Sequence, residues 1–167
     1  AHHTAYAPEV FYWNGDFYMY SSPDGKGHFI YKNIDRKPYG EFRAVTENIG
    51  LSIDGNIFID DDEKMYFYSA SHSTIMSYEM NSMEEIKSDT AKPVYSPLIR
   101  WTEGSYVLKR DGIYYMTYTG NHVKSKGYRV AYSYASDSPI SSNYKYPANN
   151  SILLSTLTEQ NGLGHSS

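Results

Sequence analysis

Residues 102–116 read TEGSYVLKRDGIYYM and predict two β-strands joined by a tight turn. The Asp111-Gly112 pair favours a two-residue hairpin turn, because both of its positions need a positive φ. Tyrosine and β-branched residues on either side suit pleated strands. An acid, Glu103, stands at the start of the first strand. The stretch therefore predicts a hairpin that carries a carboxyl group at its open end.

The same layout occurs three times along the chain. The three turns lie 48 and 49 residues apart, at Gly15, Glu63 and Gly112. The starts of the three first strands have the same spacings, at Tyr6, Asp54 and Glu103. A period near 50 residues, with three or four short strands in each unit, is typical of a β-propeller.

The repeat predicts an all-β fold and a single domain over residues 1–167. We expect three four-stranded blades at about 1–48, 49–98 and 99–150, with the start of a further blade at 151–167. Closed propellers have roughly four to eight blades. The chain is therefore expected to be part of a larger propeller, with the remaining blades of the same protein as its structural partners.

Composition excludes several classes of function. A net charge of -4 without clustered Lys and Arg argues against nucleic acid as a partner. No apolar run approaches the roughly 18 residues of a membrane-spanning helix, so no membrane partner is expected. The absence of Cys excludes disulfides, zinc-thiolate sites and thiol nucleophiles. The sequence leaves the compartment open between secreted and cytoplasmic.

The repeat also predicts where chemistry takes place. The innermost strand of each propeller blade lines the central channel, so Asp54 and Glu103 are predicted to face one cavity from adjacent blades. Two carboxyl groups flanking a cleft suit the hydrolysis of a glycosidic bond. Acids before glycine are also common in turns, so a purely structural role is the alternative for each.

Two other acidic features have simpler interpretations. Glu9 is expected in a salt bridge at a blade edge, with a place in the pocket as the alternative. The run Asp60–Asp62 lacks the spacing and the glycine of an EF-hand, which favours a solvated turn over a calcium loop.

Four motifs, in this order, resemble glycoside hydrolase family 43: Tyr6-Ala7-Pro8-Glu9-Val10, Ser52-Ile53-Asp54-Gly55, Glu103-Gly104-Ser105-Tyr106 and Gly164-His165-Ser166. The resemblance covers nearly the whole chain. It implies a five-bladed propeller that hydrolyses α-L-arabinofuranosyl or β-D-xylosyl linkages of plant polysaccharides or oligosaccharides, with inversion. The expected partner is thus a carbohydrate substrate.

The resemblance also implies roles for single residues. Glu103 would be the general acid, and Asp54 would modulate its pKa and orient it. Tyr6 stands where the family usually carries Trp, at the substrate pocket. His165 would lie near the channel axis, where many members hold a hydrated calcium, and would contact that ion through water; no other cofactor is implied. Asn121 is expected either to reach a sugar hydroxyl or to cap its own loop.

One expected residue does not occur. The general base of the family is an Asp upstream of the aromatic-Ala-Pro motif, and none of the five residues before Tyr6 is acidic. We expect the base to be absent from this chain and the isolated chain to be inactive. Two alternatives are a carbohydrate-binding propeller without catalysis and a structural propeller for protein contacts, in which Asp54 and Glu103 need not converge.

Overall fold

In the computed structural model of the protein, residues 5–51, 53–71, 74–94, 102–148, 151–157, 159 and 163–165 are described. They form three antiparallel sheets and one 3₁₀ turn at Ser88–Thr90, with no α-helix in these ranges. The predicted all-β fold is confirmed. No helix within the described ranges is long and apolar enough to cross a membrane.

Each sheet is built from strands that follow one another in the chain. The first contains β1 (Ala5–Trp13), β2 (Asp16–Pro23), β3 (Phe29–Asn33) and β4 (Phe42–Ala44). The second contains β5 (Asn56–Ile59), β6 (Met65–Ser71), β7 (Thr74–Ser82), β8 (Glu85–Ile86) and β9 (Lys92–Val94), the last also paired with β7. The third contains β10 (Thr102–Arg110), β11 (Ile113–Gly120), β12 (Arg129–Ala135) and β13 (Ile152–Ser155).

The first and third sheets open with the hairpins that the sequence predicts. Asn14-Gly15 joins β1 to β2 with φ of 49° and 87°, and Asp111-Gly112 joins β10 to β11 with φ of 51° and 76°. Two consecutive positive φ values define a type I′ turn, whose twist matches that of the flanking strands. Asn and Asp followed by Gly tolerate this backbone, which is why the two turns were readable from sequence.

The second hairpin is one residue longer. Asp60 N donates to Lys64 O at 2.9 Å, and Glu63 N donates to Asp60 O at 2.9 Å. Glu63 itself has a φ of 63°. This is a three-residue loop with its last residue in the left-handed region. The extra residue shifts the first strand of the second sheet by one position relative to the other two sheets.

The structure corrects the predicted end of the third unit. β13, Ile152–Ser155, pairs with β12 and is therefore the outer strand of the third sheet, not the start of a next unit at 151. A long connection rich in Ser, Asn and Pro separates the two strands, and only long-range pairing reveals that they belong together. Ser52 and Ser166 of the motifs, and the boundary expected near residue 98, lie outside the described residues.

Tyrosines on the second strands form the centre of the core. Tyr20, Tyr68 and Tyr118 are all fully buried. One apolar cluster joins the first and second sheets, and another joins the second and third. The Tyr20 hydroxyl donates to Met83 O, and the Tyr68 hydroxyl donates to Pro139 O at 2.9 Å. Tyr20 and Tyr68 thus bury their rings and donate their hydroxyls to carbonyls in loops of the neighbouring sheet, which suits an amphipathic aromatic residue.

A polar contact also joins the second and third sheets. Lys109 Nζ lies 2.6 Å from Asp60 Oδ1, and the Tyr114 hydroxyl donates to Asp60 Oδ2 at 2.6 Å. The Asp60 side chain is only 10% exposed. Asp61 and Asp62 remain exposed, as expected of a solvated turn, but Asp60 faces the next sheet and is not part of that solvated surface.

We expect Asp60→Ala to lower the free energy of unfolding by about 2 kcal/mol, because it removes a half-buried carboxylate that accepts a hydrogen bond from the hydroxyl of buried Tyr114. Asp62→Ala in the same loop is the matched control and should have little effect, since Asp62 pairs only with exposed Lys64. Urea unfolding measures both. Equal losses for the two variants would show that the contact with the third sheet does not stabilise the fold.

Candidate active site

The first strand of every sheet is interrupted by a β-bulge at its open end. Two residues stand opposite one in each case: Ala7-Pro8 opposite Ser21, Asp54-Gly55 opposite Ser69, and Gly104-Ser105 opposite Tyr118. The first residue of each bulge has a positive φ, 35° at Ala7, 62° at Asp54 and 57° at Gly104. The three sheets therefore share the same kind of β-bulge, which changes the direction of the chain where the sheets approach one another.

The bulges change the predicted register. Ala70 N donates to Ile53 O at 2.8 Å, so Ile53 takes the ladder position that Tyr6 and Glu103 take in the other sheets. Asp54 lies one residue further on, at the bulge. Alignment on residue spacing alone misplaced it, because the three-residue hairpin loop of the second sheet displaces the first strand by one position.

The bulge places the Asp54 carboxyl against the third sheet. Asp54 is 7% exposed, and its Oδ2 accepts a hydrogen bond from Gly104 N at 3.1 Å. Its Oδ2 also lies 3.9 Å from His165 Nδ1. Burial raises the pKa of Asp54, while His165 and the Gly104 amide partly offset that rise. Asp54 thus binds the amide of the residue that directly follows Glu103.

The carboxyl groups of Glu103 and Asp54 both affect the pKa of one neighbour, Tyr128. Glu103 is half-buried and lies opposite Thr119 in the β10–β11 ladder. Burial first, and then the carboxyl groups of Glu103 and Asp54, raise the pKa of the buried Tyr128 hydroxyl to about 12. Both carboxyl groups are thus within electrostatic reach of one phenol.

The Gly164-His165 segment returns to the third sheet beside these acids. His165 N donates to the Thr119 hydroxyl at 2.8 Å. A Cβ on Gly164 would lie 2.3 Å from Tyr128, and one on Gly104 would lie 2.9 Å from His165 Nδ1. Glycine is required at both positions because the backbone packs directly against these rings.

A cavity of about 20 Å³ lies where the three bulges meet. Its lining includes Glu9, Asp54, Ser105 and His165. Among the described residues, Glu9 does not form the expected salt bridge at a blade edge. It is partly buried, its two oxygens accept from Asn56 Nδ2 at 3.0 and 3.1 Å, and burial raises its pKa to about 7. The bulge at Ala7-Pro8 turns Glu9 inward, and a bulge has no clear signal in the sequence.

The other predicted residues have mixed outcomes. Tyr6 lies beside the first bulge and is 47% exposed. Asn121 Nδ2 donates to Gly127 O at 2.7 Å, so the amide caps its own loop, which was one of the two alternatives. Sequence reasoning missed Tyr128, Thr119 and His28, which contact the site from other strands and loops. No spacing relative to the motifs marks them.

The model of the glycosyl hydrolases family 43 matches the chain over residues 1–167. The chain belongs to this family. A solved endo-1,4-β-xylanase from Bacteroides thetaiotaomicron superposes with a TM-score of 0.82 and 29% identity, over 97% of this chain and 60% of that one. The family match and this superposition identify the three sheets of the family 43 chain as three blades of a β-propeller, as predicted.

Two further relatives extend the comparison. An α-L-arabinofuranosidase from Clostridium thermocellum superposes over 90% of this chain and 52% of its own, with a TM-score of 0.72 and 22% identity, a likeness of fold alone. A β-D-galactofuranosidase of Aspergillus niger is 31% identical over an alignment 135 residues long, which covers 74% of this chain and 38% of that protein. The family 43 chain thus spans well under two thirds of the length of these relatives.

We expect Glu9→Gln to make the stability of the protein less sensitive to rising pH. The folded pKa of Glu9, about 7, lies above the unfolded value of 4.5. Between these values the folded state holds a proton that the unfolded state releases, so stability falls as pH rises. Relative to wild type, the free energy of unfolding of the variant should rise by about 1.4 kcal/mol per pH unit across this window.

Urea unfolding of wild type and variant from pH 4.5 to 8 measures that gain. Glu47→Gln, at an exposed position, is the control for replacing a surface carboxylate by an amide. A difference between Glu9→Gln and wild type that does not change with pH would mean that Glu9 is ionised in the folded protein throughout.

Proposed function

We propose that the chain carries the acid side of a glycosidase active site, with Glu103 as the general acid and Asp54 as the residue that sets its pKa and orientation. The observation that carries the proposal is the hydrogen bond from Gly104 N to Asp54 Oδ2. It joins a buried carboxyl of one blade to the residue next to Glu103 on the adjacent blade. Membership of family 43 supports the reaction class.

The chemistry requires Glu103 to hold a proton at working pH and to give it to the leaving oxygen. A negative charge close to Glu103 disfavours its ionisation, and a surrounding of low polarity strengthens that effect. Asp54 is buried and held by a backbone amide, so its carboxyl has a fixed place relative to the acid. Asp54 therefore raises the pKa of Glu103 through its negative charge and fixes the position of Glu103 through the backbone at Gly104.

We further propose that hydrolysis proceeds with inversion, and that the general base comes from an acidic residue outside these 167 residues. Inversion needs roughly 6.5–9.5 Å between the carboxyl groups of acid and base, because a water molecule must fit between them. Glu9 is a poor candidate for the base because both of its oxygens accept from Asn56 Nδ2.

The proposed substrates are α-L-arabinofuranosides or β-D-xylosides of plant polysaccharides. Support comes from the names of the relatives, a xylanase and an arabinofuranosidase. The galactofuranosidase adds a second furanoside to the compounds worth testing. Tyr6, exposed beside the first bulge, is the proposed aromatic surface for the sugar ring.

A hydrated calcium on the propeller axis is also proposed, and the described residues fit it only through water. They contain no group of three or more acidic, His or Cys side chains that could hold a metal ion directly. The cavity of about 20 Å³ has room for about one water but not for a calcium ion with its water shell, and the buried Ser105 hydroxyl has no hydrogen-bond partner among the described residues. An ion on the axis would therefore lie outside this cavity, and His165 would be in contact with its outer waters only.

Glu103→Gln in the full-length protein tests the acid role. We expect kcat on an unactivated arabinoside or xyloside to fall by about 10²–10⁴, because the leaving oxygen loses its proton donor. An aryl glycoside with a good leaving group should lose less than about tenfold, since that group needs little protonation. Steady-state kinetics on both substrates gives the ratio.

Glu47→Gln is the matched control, at an exposed position, and should leave both rates unchanged. Equal losses of Glu103→Gln on both substrates would contradict the acid role. Sugar binding by the wild-type full-length protein without hydrolysis of either compound would favour the carbohydrate-binding propeller. Wild-type-like hydrolysis by these 167 residues alone would refute the assignment of the base to a residue outside them.

A further inference from the structure

His28 is fully buried between the first and second blades, at the start of β3. Its Nδ1 lies 3.0 Å from Leu51 O, and its Nε2 lies 2.8 Å from Gly55 N. The amide of Gly55 can only donate, so Nε2 accepts and Nδ1 carries the proton that Leu51 O receives. One tautomer of the neutral ring thus satisfies a backbone donor and a backbone acceptor of the second blade.

The ring fits tightly against the Asp54-Gly55 bulge. A Cβ on Gly55 would lie 2.7 Å from His28 Nε2 and 2.8 Å from Phe67 Cε2. The His28 and Phe67 rings also meet edge to face, with centroids 5.3 Å apart and an interplanar angle of 85°. Burial lowers the pKa of His28 to about 4, so the ring is neutral near neutral pH and Nε2 is free of a proton.

The bond to Gly55 acts on the residue before it. Asp54 has a φ of 62°, in the left-handed region, which Asp tolerates better than most residues but which is less favoured than an extended backbone. His28 holds the amide on one side of Asp54, and the bond from Ala70 N to Ile53 O holds the carbonyl on the other. The Asp54 carboxyl then reaches Gly104 N, beside Glu103.

We propose that His28 is a positioning residue, which fixes the Asp54-Gly55 bulge through the hydrogen bond from Gly55 N to Nε2 and so sets the contact between Asp54 and Gly104. The catalytic consequence rests on the proposed roles of Asp54 and Glu103. The structural part does not, because the bond and its effect on Gly104 exist whether or not the protein hydrolyses a glycoside.

Two variants separate this bond from the packing of the ring. In His28→Gln, the side-chain oxygen reaches the place of Nε2 and can accept from Gly55 N. In His28→Asn, the amide ends at the place of Nδ1, so it can donate to Leu51 O but cannot reach Gly55. Both variants lose the edge-to-face contact with Phe67. Each variant keeps one of the two bonds of the ring, so a difference between them shows whether the Gly104 amide depends on the bond to Gly55 or on the bond to Leu51 O.

The first readout is NMR of the protein and needs no activity. In wild type we expect a ¹⁵N–¹⁵N coupling through the hydrogen bond between Gly55 N and His28 Nε2. In His28→Asn the Gly104 amide should shift and exchange with solvent at least about tenfold faster, because an unsatisfied buried donor loosens the bulge. His28→Gln should keep the Gly104 amide near its wild-type shift and exchange rate.

The second readout is the activity of the full-length protein. His28→Asn should lower kcat on an unactivated substrate about tenfold or more with KM unchanged, and His28→Gln should restore kcat to within about threefold of wild type. Absence of the coupling in wild type, or an unchanged Gly104 amide in His28→Asn, would overturn the proposal. A shifted Gly104 amide in His28→Asn, together with a wild-type protein that hydrolyses no glycoside, would uphold the positioning of Asp54 and refute the glycosidase instead.

Discussion

The hydrogen bond from Gly104 N to Asp54 Oδ2 is the contact on which the candidate site depends. It crosses from the third blade to the second at the point where two bulges meet. Its donor needs the left-handed backbone of Gly104, and its acceptor needs that of Asp54. Because a buried carboxyl without a partner is costly, the bulges and the bond stabilise one another. The blades are thereby joined at the residues that the proposed chemistry uses.

The rest of the fold keeps these bulges aligned. Tyr20 and Tyr68 place their rings between the blades and donate their hydroxyls to backbone carbonyls of the neighbouring blade. Asp60 and Lys109 join the blades at the opposite end of the inner strands. The longer hairpin of the second blade moves Asp54 onto the bulge, where a side chain can reach across to the third blade. Ala7 and Gly104 occupy the same place in the other two blades and carry no polar side chain there.

Much of the fold was predictable because it is encoded locally. The residue pairs Asn14-Gly15 and Asp111-Gly112 predict the geometry of their turns directly, and the spacing between the turns indicates the repeat. The bulges are not local in this sense, since they appear only once the register of both strands is known. For that reason Asp54 was assigned to the ladder position of Glu103, and Glu9 to a blade edge. β13 was separated from its blade because a long loop hides its pairing, and His28 was missed because its partners come from another blade.

The central claim is that Asp54 reaches across the blade interface to the residue beside Glu103. A crystal structure of the full-length protein, at a resolution that defines side-chain positions, measures this most directly. We predict a distance near 3 Å between Asp54 Oδ2 and Gly104 N, a positive φ at Asp54, and the Glu103 carboxyl facing the same mouth as the Tyr128 hydroxyl. An Asp54 carboxyl bound elsewhere, or a Glu103 side chain directed away from Tyr128, would contradict the account.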